Sequence, residues 1–193
     1  MKKLLFANAC LNREKSRTLR LGRELISLLQ KKDKYEITEL VLEEDNIKPL
    51  LSAELNKRLE LQGKQDFSGK AFNYAHQFAR ADCIVFAAPY WDFGFPAILK
   101  TYIEAVSVPG IVYRYGEGGR PVGMCKAEKI YYVTTRGGYI GDDKDLGFAT
   151  TAQLAAFYGI KEAKCISADG FDIPTTDIEA SLKKAISEMP ACI

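Results

Sequence analysis

The 193-residue chain has one histidine and one tryptophan, and its five cysteines (Cys10, Cys83, Cys125, Cys165 and Cys192) form no C-x-x-C pair. Without that spacing, the usual signatures of a structural zinc site and of a thioredoxin-like redox motif are missing. His76, the lone imidazole, falls in a helical pattern and reads as a surface or packing residue rather than a catalytic base. Charge of one sign is also scarce. The formal net charge is +2, and lysines and arginines are spread along helical segments, which argues against a nucleic-acid partner. No apolar run approaches the roughly 20 residues of a membrane span. The apolar start at residues 1–9 gives way at once to Asn12-Arg13-Glu14-Lys15, too soon for a secretory signal. With scattered thiols that suit a reducing compartment, the expectation is a soluble cytoplasmic protein.

What is present is an alternation of short apolar runs and amphipathic segments. Lys3–Asn8, Glu36–Val41, Cys83–Ala88, Lys129–Thr134 and Ala163–Ser167 read as five strands. Three of these contain continuous apolar runs, as expected of parallel strands buried on both faces. Helical patterns separate them. Ser16 is a candidate N-cap for the first, Ser52–Leu61 and Phe67–Arg80 form a pair, and Pro96 sits at the first turn of the next. Leu146–Tyr158 ends at Gly159 as a C-terminal glycine, and Thr176–Glu188 closes the chain. A Gly- and Tyr-rich insertion over Val112–Met124 reads as a hairpin. The order predicts one α/β domain over residues 1–193, a doubly wound parallel sheet of order 2-1-3-4-5 with helices on both faces.

Ligands of such sheets bind beyond the carboxyl ends of the strands. Three loops are placed there. Residues 9–18 contain no glycine, which excludes both the dinucleotide fingerprint and a P-loop. Ser16, Arg17 and Thr18 at a helix start suit a single terminal phosphate, and equally a plain N-cap. The second loop, Ala88–Pro96, carries Tyr90, Trp91, Phe93 and Phe95. That much aromatic area fits a planar heteroaromatic ligand, or rings packed down on the sheet. The third, Thr134-Thr135-Arg136-Gly137-Gly138-Tyr139, offers paired glycines for close approach of backbone to a ring with positive φ, or a tight turn.

Taken together, these segments resemble the FMN-dependent NADH-azoreductases, a branch of the flavodoxin-like NAD(P)H:quinone oxidoreductases. The resemblance is carried by Ser16-Arg17-Thr18, Ala87–Phe93 followed by Pro96, Leu99, Lys100 and Tyr102, Tyr113-Arg114-Tyr115, and Thr134–Gly138. It implies FMN as cofactor, NADH or NADPH as co-substrate, a quinone or azo acceptor, ping-pong hydride transfer, and a homodimer with its active site at the interface. It maps the phosphate to Cys10, Ser16, Arg17 and Thr18. The isoalloxazine edge maps to Tyr90, Trp91, Asp92 and Phe93 and to Thr135, Arg136, Gly137 and Gly138. Two departures stand out. Ala9 and Cys10 replace serines, and Asp92 replaces an asparagine. An ionised Asp92 pointing inward would lower the flavin's potential, whereas one facing solvent would offer only its backbone N–H. A non-catalytic electron carrier or redox sensor is the rival reading, and a hydrolase built on Ser16 a second.

Overall fold

The structure is a computed structural model that describes residues 1–193, the side chain of Glu14 excepted. In chain order it forms β1 (Lys2–Asn8), α1 (Arg17–Lys32), β2 (Tyr35–Val41), α2 (Ser52–Gly63), α3 (Asn73–Arg80), β3 (Cys83–Ala87) and α4 (Ala97–Val106). Then follow β4 (Tyr113–Tyr115), β5 (Pro121–Gly123), β6 (Lys129–Thr135), α5 (Leu146–Tyr158), β7 (Glu162–Ala168) and α6 (Ile178–Glu188). Five strands form one parallel sheet in the order β2-β1-β3-β6-β7, the expected 2-1-3-4-5 arrangement of a flavodoxin-like fold. The insertion is an antiparallel hairpin, β4 pairing with β5.

β3 is buried along its whole length and β6 through its middle, because helices cover both faces of the sheet. On one face α3, α4 and α5 bring Phe78, Leu99, Tyr102 and Tyr158 against Ile84, Phe86 and Tyr132. On the other, Leu21, Leu25 and Leu29 of α1 and Leu182 of α6 pack on Leu4, Phe6 and Val85. Hydrophobic burial of this kind is the main favourable contribution to folding.

Strand ends shift by a single residue from the sequence pattern, and two helix starts differ by more. Phe67–Arg80 is not one helix. Asp66 Oδ1 accepts from both the amide and the hydroxyl of Ser68, at 3.1 and 2.6 Å, so the chain turns before a short 3₁₀ segment leads into α3. The last helix starts at Ile178 rather than Thr176, because the Asp177 side chain accepts the Ala180 N–H and caps it there. Among the described residues no helix is long and apolar enough to cross a membrane, and no His, Cys, Asp and Glu cluster is arranged to hold a metal.

Candidate functional site

A cavity of about 450 Å³ opens past the carboxyl ends of β1, β3 and β6. Cys10, Ser16, Arg17 and Thr18 line it from the first loop, Tyr90 and Trp91 from the second, and Thr135, Arg136 and Gly137 from the third. Asp92, Phe93 and Gly138 lie outside this lining. A cavity of about 410 Å³ lies among residues at the opposite strand ends, and its Lys2, Lys126 and Lys129 are paired with Asp33, Asp82 and Glu162. Cations already neutralised in this way offer little to a charged ligand.

At the first loop, Ser16 Oγ accepts the Leu19 N–H at 3.1 Å and starts α1. The N–H groups of Arg17 and Thr18 precede the helical ladder and have no intrahelical acceptor. Lys15, Arg17 and the positive end of α1 thus surround one anion-sized end of the cavity. The Arg17 guanidinium is held 5.2 Å from the centroid of the Phe171 ring. Thr18 Oγ1 and Thr135 Oγ1 meet at 2.6 Å and tie the first loop to the third. Cys10 is buried. Its amide donates to Asn8 Oδ1 at 3.0 Å, and burial pushes its thiol up to about 11. It is packing, not a nucleophile.

The second loop is a tight turn closed by reciprocal bonds between Trp91 and Gly94, at 3.1 and 2.8 Å. Asp92 and Phe93 take φ of 48° and 66°, left-handed values that cost an ordinary side chain about 1–2 kcal/mol each. Strain of this size tends to be kept where a loop has a task. The turn leaves Trp91 47 % and Phe93 71 % exposed, while Phe95 packs edge-on against Tyr132. Tyr90 N–H is spent on Thr135 O and Trp91 N–H on Gly94 O, so those two amides are closed to a ligand.

The third loop departs most from expectation. Arg136 is only 1 % exposed, and its guanidinium donates to Asp145 (2.9 Å), Asp169 (3.1 Å) and Asp142 (2.7 Å). Burial works against its charge, but the hydrogen bonds of Asp142 and Asp145 and the charge of Asp169 outweigh it and hold its pKa above the ordinary value. Its charge is committed to these aspartates and not to a ligand. Neither Gly137 nor Gly138 has positive φ, contrary to the role expected of the pair. Gly137 is needed for another reason. A Cβ there would collide with Asp172 Oδ2 and stand 2.7 Å from its Cγ. Gly138 is open, its nearest neighbour being Ile140 Cδ1 at 3.5 Å.

The lining also holds Leu11, Asn12, Lys15, Pro89, Phe171 and Asp172, which the sequence did not assign to the ligand. Lys15 adjoins a segment that was singled out. Phe171 and Asp172 follow the edge strand β7, whose loop was not among those placed at the ligand. Of the other residues noted, His76 Nε2 lies 2.9 Å from the Phe67 carbonyl. Tyr113 packs on Phe157, and the Tyr139 hydroxyl lies 2.9 Å from Thr176 Oγ1.

A five-stranded parallel sheet of order 2-1-3-4-5 with helices on both faces defines the flavodoxin-like class, and the chain matches the flavodoxin-like fold family over residues 2–191. It belongs to that family, and within it to the group of FMN-dependent NADH:quinone oxidoreductases. It is 32 % identical over 191 residues to a Clostridium perfringens protein of the former name, covering 97 % of this chain and 96 % of the relative. A namesake in Coprothermobacter proteolyticus is 34 % identical over 194 residues, covering 97 % and 96 %. The fold matches that of a Bacillus anthracis azoreductase with a TM-score of 0.85 at 24 % identity, covering 100 % and 98 % of the two chains. It also matches an FMN-dependent NADH-azoreductase of that species in complex with FMN, with a TM-score of 0.84 at 19 % identity and coverage of 100 % and 97 %.

Proposed function

We propose that the chain acts as one FMN-binding domain that uses NADH or NADPH to reduce quinones or azo compounds. The carrying observation is a single cavity with a cationic helix start at one end and exposed aromatic rings beside a glycine loop at the other. That donor set fits FMN, which has one terminal phosphate and one planar ring system. The Ser16 hydroxyl hydrogen, the N–H groups of Arg17 and Thr18, and the charges of Lys15 and Arg17 would hold the phosphate. Tyr90 and Trp91 would wall the ring, and the Gly137 N–H, with that of Gly138 just beyond the lining, would face its polar edge.

Bound FMN supplies the hydride-accepting and hydride-donating chemistry. The protein's part is to orient, to exclude water and to leave one stacking face open. One open face favours a ping-pong order, in which the oxidised nicotinamide leaves before the acceptor enters. It also favours acceptors selected for flatness, quinone and azo compounds alike.

A homodimer with the site at its interface is supported by an apolar groove on α5, formed by Leu146, Leu154 and Phe157. Leu146 is 60 % exposed, and its amide is bonded to the Phe93 carbonyl of the strained turn, so the apolar surface runs up to the cavity loops. Five free cysteines support a reducing, cytoplasmic setting.

The test is the visible spectrum of apoprotein titrated with FMN, followed by NADH consumption with benzoquinone. Saturable binding and steady turnover are expected. No binding would overturn the reading, and a bound flavin that NADH cannot reduce would point to an electron carrier. For assembly, Leu146→Lys is expected to yield monomers in light scattering.

A further inference from the structure

The segment after β7 runs alongside the third loop. Phe171 N–H donates to Arg136 O at 3.1 Å, Asp172 N–H to Gly137 O at 2.9 Å, and Gly170 N–H to Gly138 O at 3.3 Å. This backbone clasp puts the Asp172 carboxylate on the Gly137 α-carbon, in the space a side chain at 137 would fill. The carboxylate lines the cavity, and among the described residues it has no hydrogen bond or ion pair. The guanidinium nearest in the chain to Gly137, that of Arg136, is committed to Asp142, Asp145 and Asp169. Arg17 is held over Phe171. Asp92, the carboxylate at which the sequence departs from the family it resembles, lies outside the lining.

We propose that Asp172 sets the reduction potential of the bound flavin, its unpaired carboxylate standing at the glycine edge on which reduction places negative charge. This rests on the FMN reading above. One hydride from NADH carries two electrons and one proton, leaving NAD⁺ and one added negative charge on the ring system. A carboxylate beside Gly137 repels that charge, and because Asp172 is exposed water screens the repulsion to a modest size. Gly137 and Gly138 N–H groups attract it. Asp172 therefore offsets the attraction of the glycine amides and favours the oxidised over the reduced cofactor. The flavin is left with a lower potential and passes its hydride on more readily.

The experiment measures the midpoint potential of FMN-loaded protein by dye equilibration, together with the dissociation constants of oxidised and reduced FMN. With Asp172→Asn, the preference for oxidised over reduced FMN is expected to fall about tenfold, which for two electrons is a rise of about 30 mV. Asp172→Glu should stay near the parent value, and Asp92→Asn should move it less than Asp172→Asn does. Should the asparagine disturb the clasp, Asp172→Ala is expected to shift the potential in the same direction. A potential unchanged in both Asp172→Asn and Asp172→Ala, with FMN bound and reducible by NADH, overturns the role of Asp172 and leaves the enzyme reading intact. Failure of the parent protein to bind FMN overturns both.

Discussion

Arg136 Nε donates to Asp145 Oδ2 at 2.9 Å, and the other oxygen of Asp145 accepts the Phe148 N–H at 3.0 Å. One carboxylate thus neutralises a buried guanidinium and caps α5. The loop between β6 and α5 is fastened at both ends, and Asp169 adds a third tie through the Ile140 amide at 3.2 Å.

Removing the guanidinium would leave buried carboxylate without a partner. Arg136→Ala is expected to cost about 3–5 kcal/mol, read as a lower urea midpoint. Arg136→Lys keeps the charge but not the planar fork that reaches three carboxylates, and should recover only part of the loss. FMN affinity should fall in both, because the Gly137–Gly138 backbone is held by this hub.

The same cluster sets an acid limit. Burial raises the Asp142 carboxyl, but the hydrogen bond and charge of Arg136 outweigh that and hold it below the ordinary 3.8. A depressed folded-state value adds stability above the unfolded pKa and loses it as pH falls through the folded one. Urea midpoints should therefore be level from pH 7 to about pH 5 on this account and drop below about pH 4. Asp142→Asn should flatten that drop while lowering stability at neutral pH.

Cys10 should resist alkylation. Its thiol is 5 % exposed and pushed up to about 11 by burial, so the reactive thiolate is rare at pH 8. Iodoacetamide followed by mass spectrometry should find Cys10 unmodified in native protein and modified in urea. Rapid native labelling would contradict its place beneath the first loop.

Gly137 and Asp172 should be energetically coupled. Gly137→Ala must turn the exposed Asp172 carboxylate aside, at a cost of no more than about 1 kcal/mol. In an Asp172→Ala background the same change should cost clearly less, a coupling a double-mutant cycle can measure. Gly138→Ala, with open space around it, should change stability by no more than about 0.5 kcal/mol.

Much of this was legible in the chain. β1, β3 and β6 announce themselves as runs because helices bury them on both faces, leaving no polar period to confuse the reading. Leu146–Tyr158 was bounded correctly, since the Asp145 cap and Gly159, at φ 80°, act through neighbouring backbone alone. Local chemistry also marked Ser16 as the start of α1. Where a local side-chain turn competed with helix, the pattern failed. Asp66 drew Ser68 into a turn, and the run ahead of α3 did not become helix.

The sequence by itself determined the parallel sheet, the Ser16 cap of α1, the Gly159 end of α5 and three of the loops at the carboxyl edge, because periodicity, capping and connection rules operate over short stretches of chain. Only the tertiary structure decided the charges at the site. Arg136, which the sequence offered to a ligand, is claimed by three aspartates, two of them in the loop ahead of α5 and one at the end of β7. Asp172, which the sequence did not mark, lines the cavity beside Gly137, while Asp92 lies outside the lining. Both outcomes depend on β7 lying beside β6 and on the backbone clasp that follows, and electrostatic pairing answers to distance in space, whatever the separation along the chain.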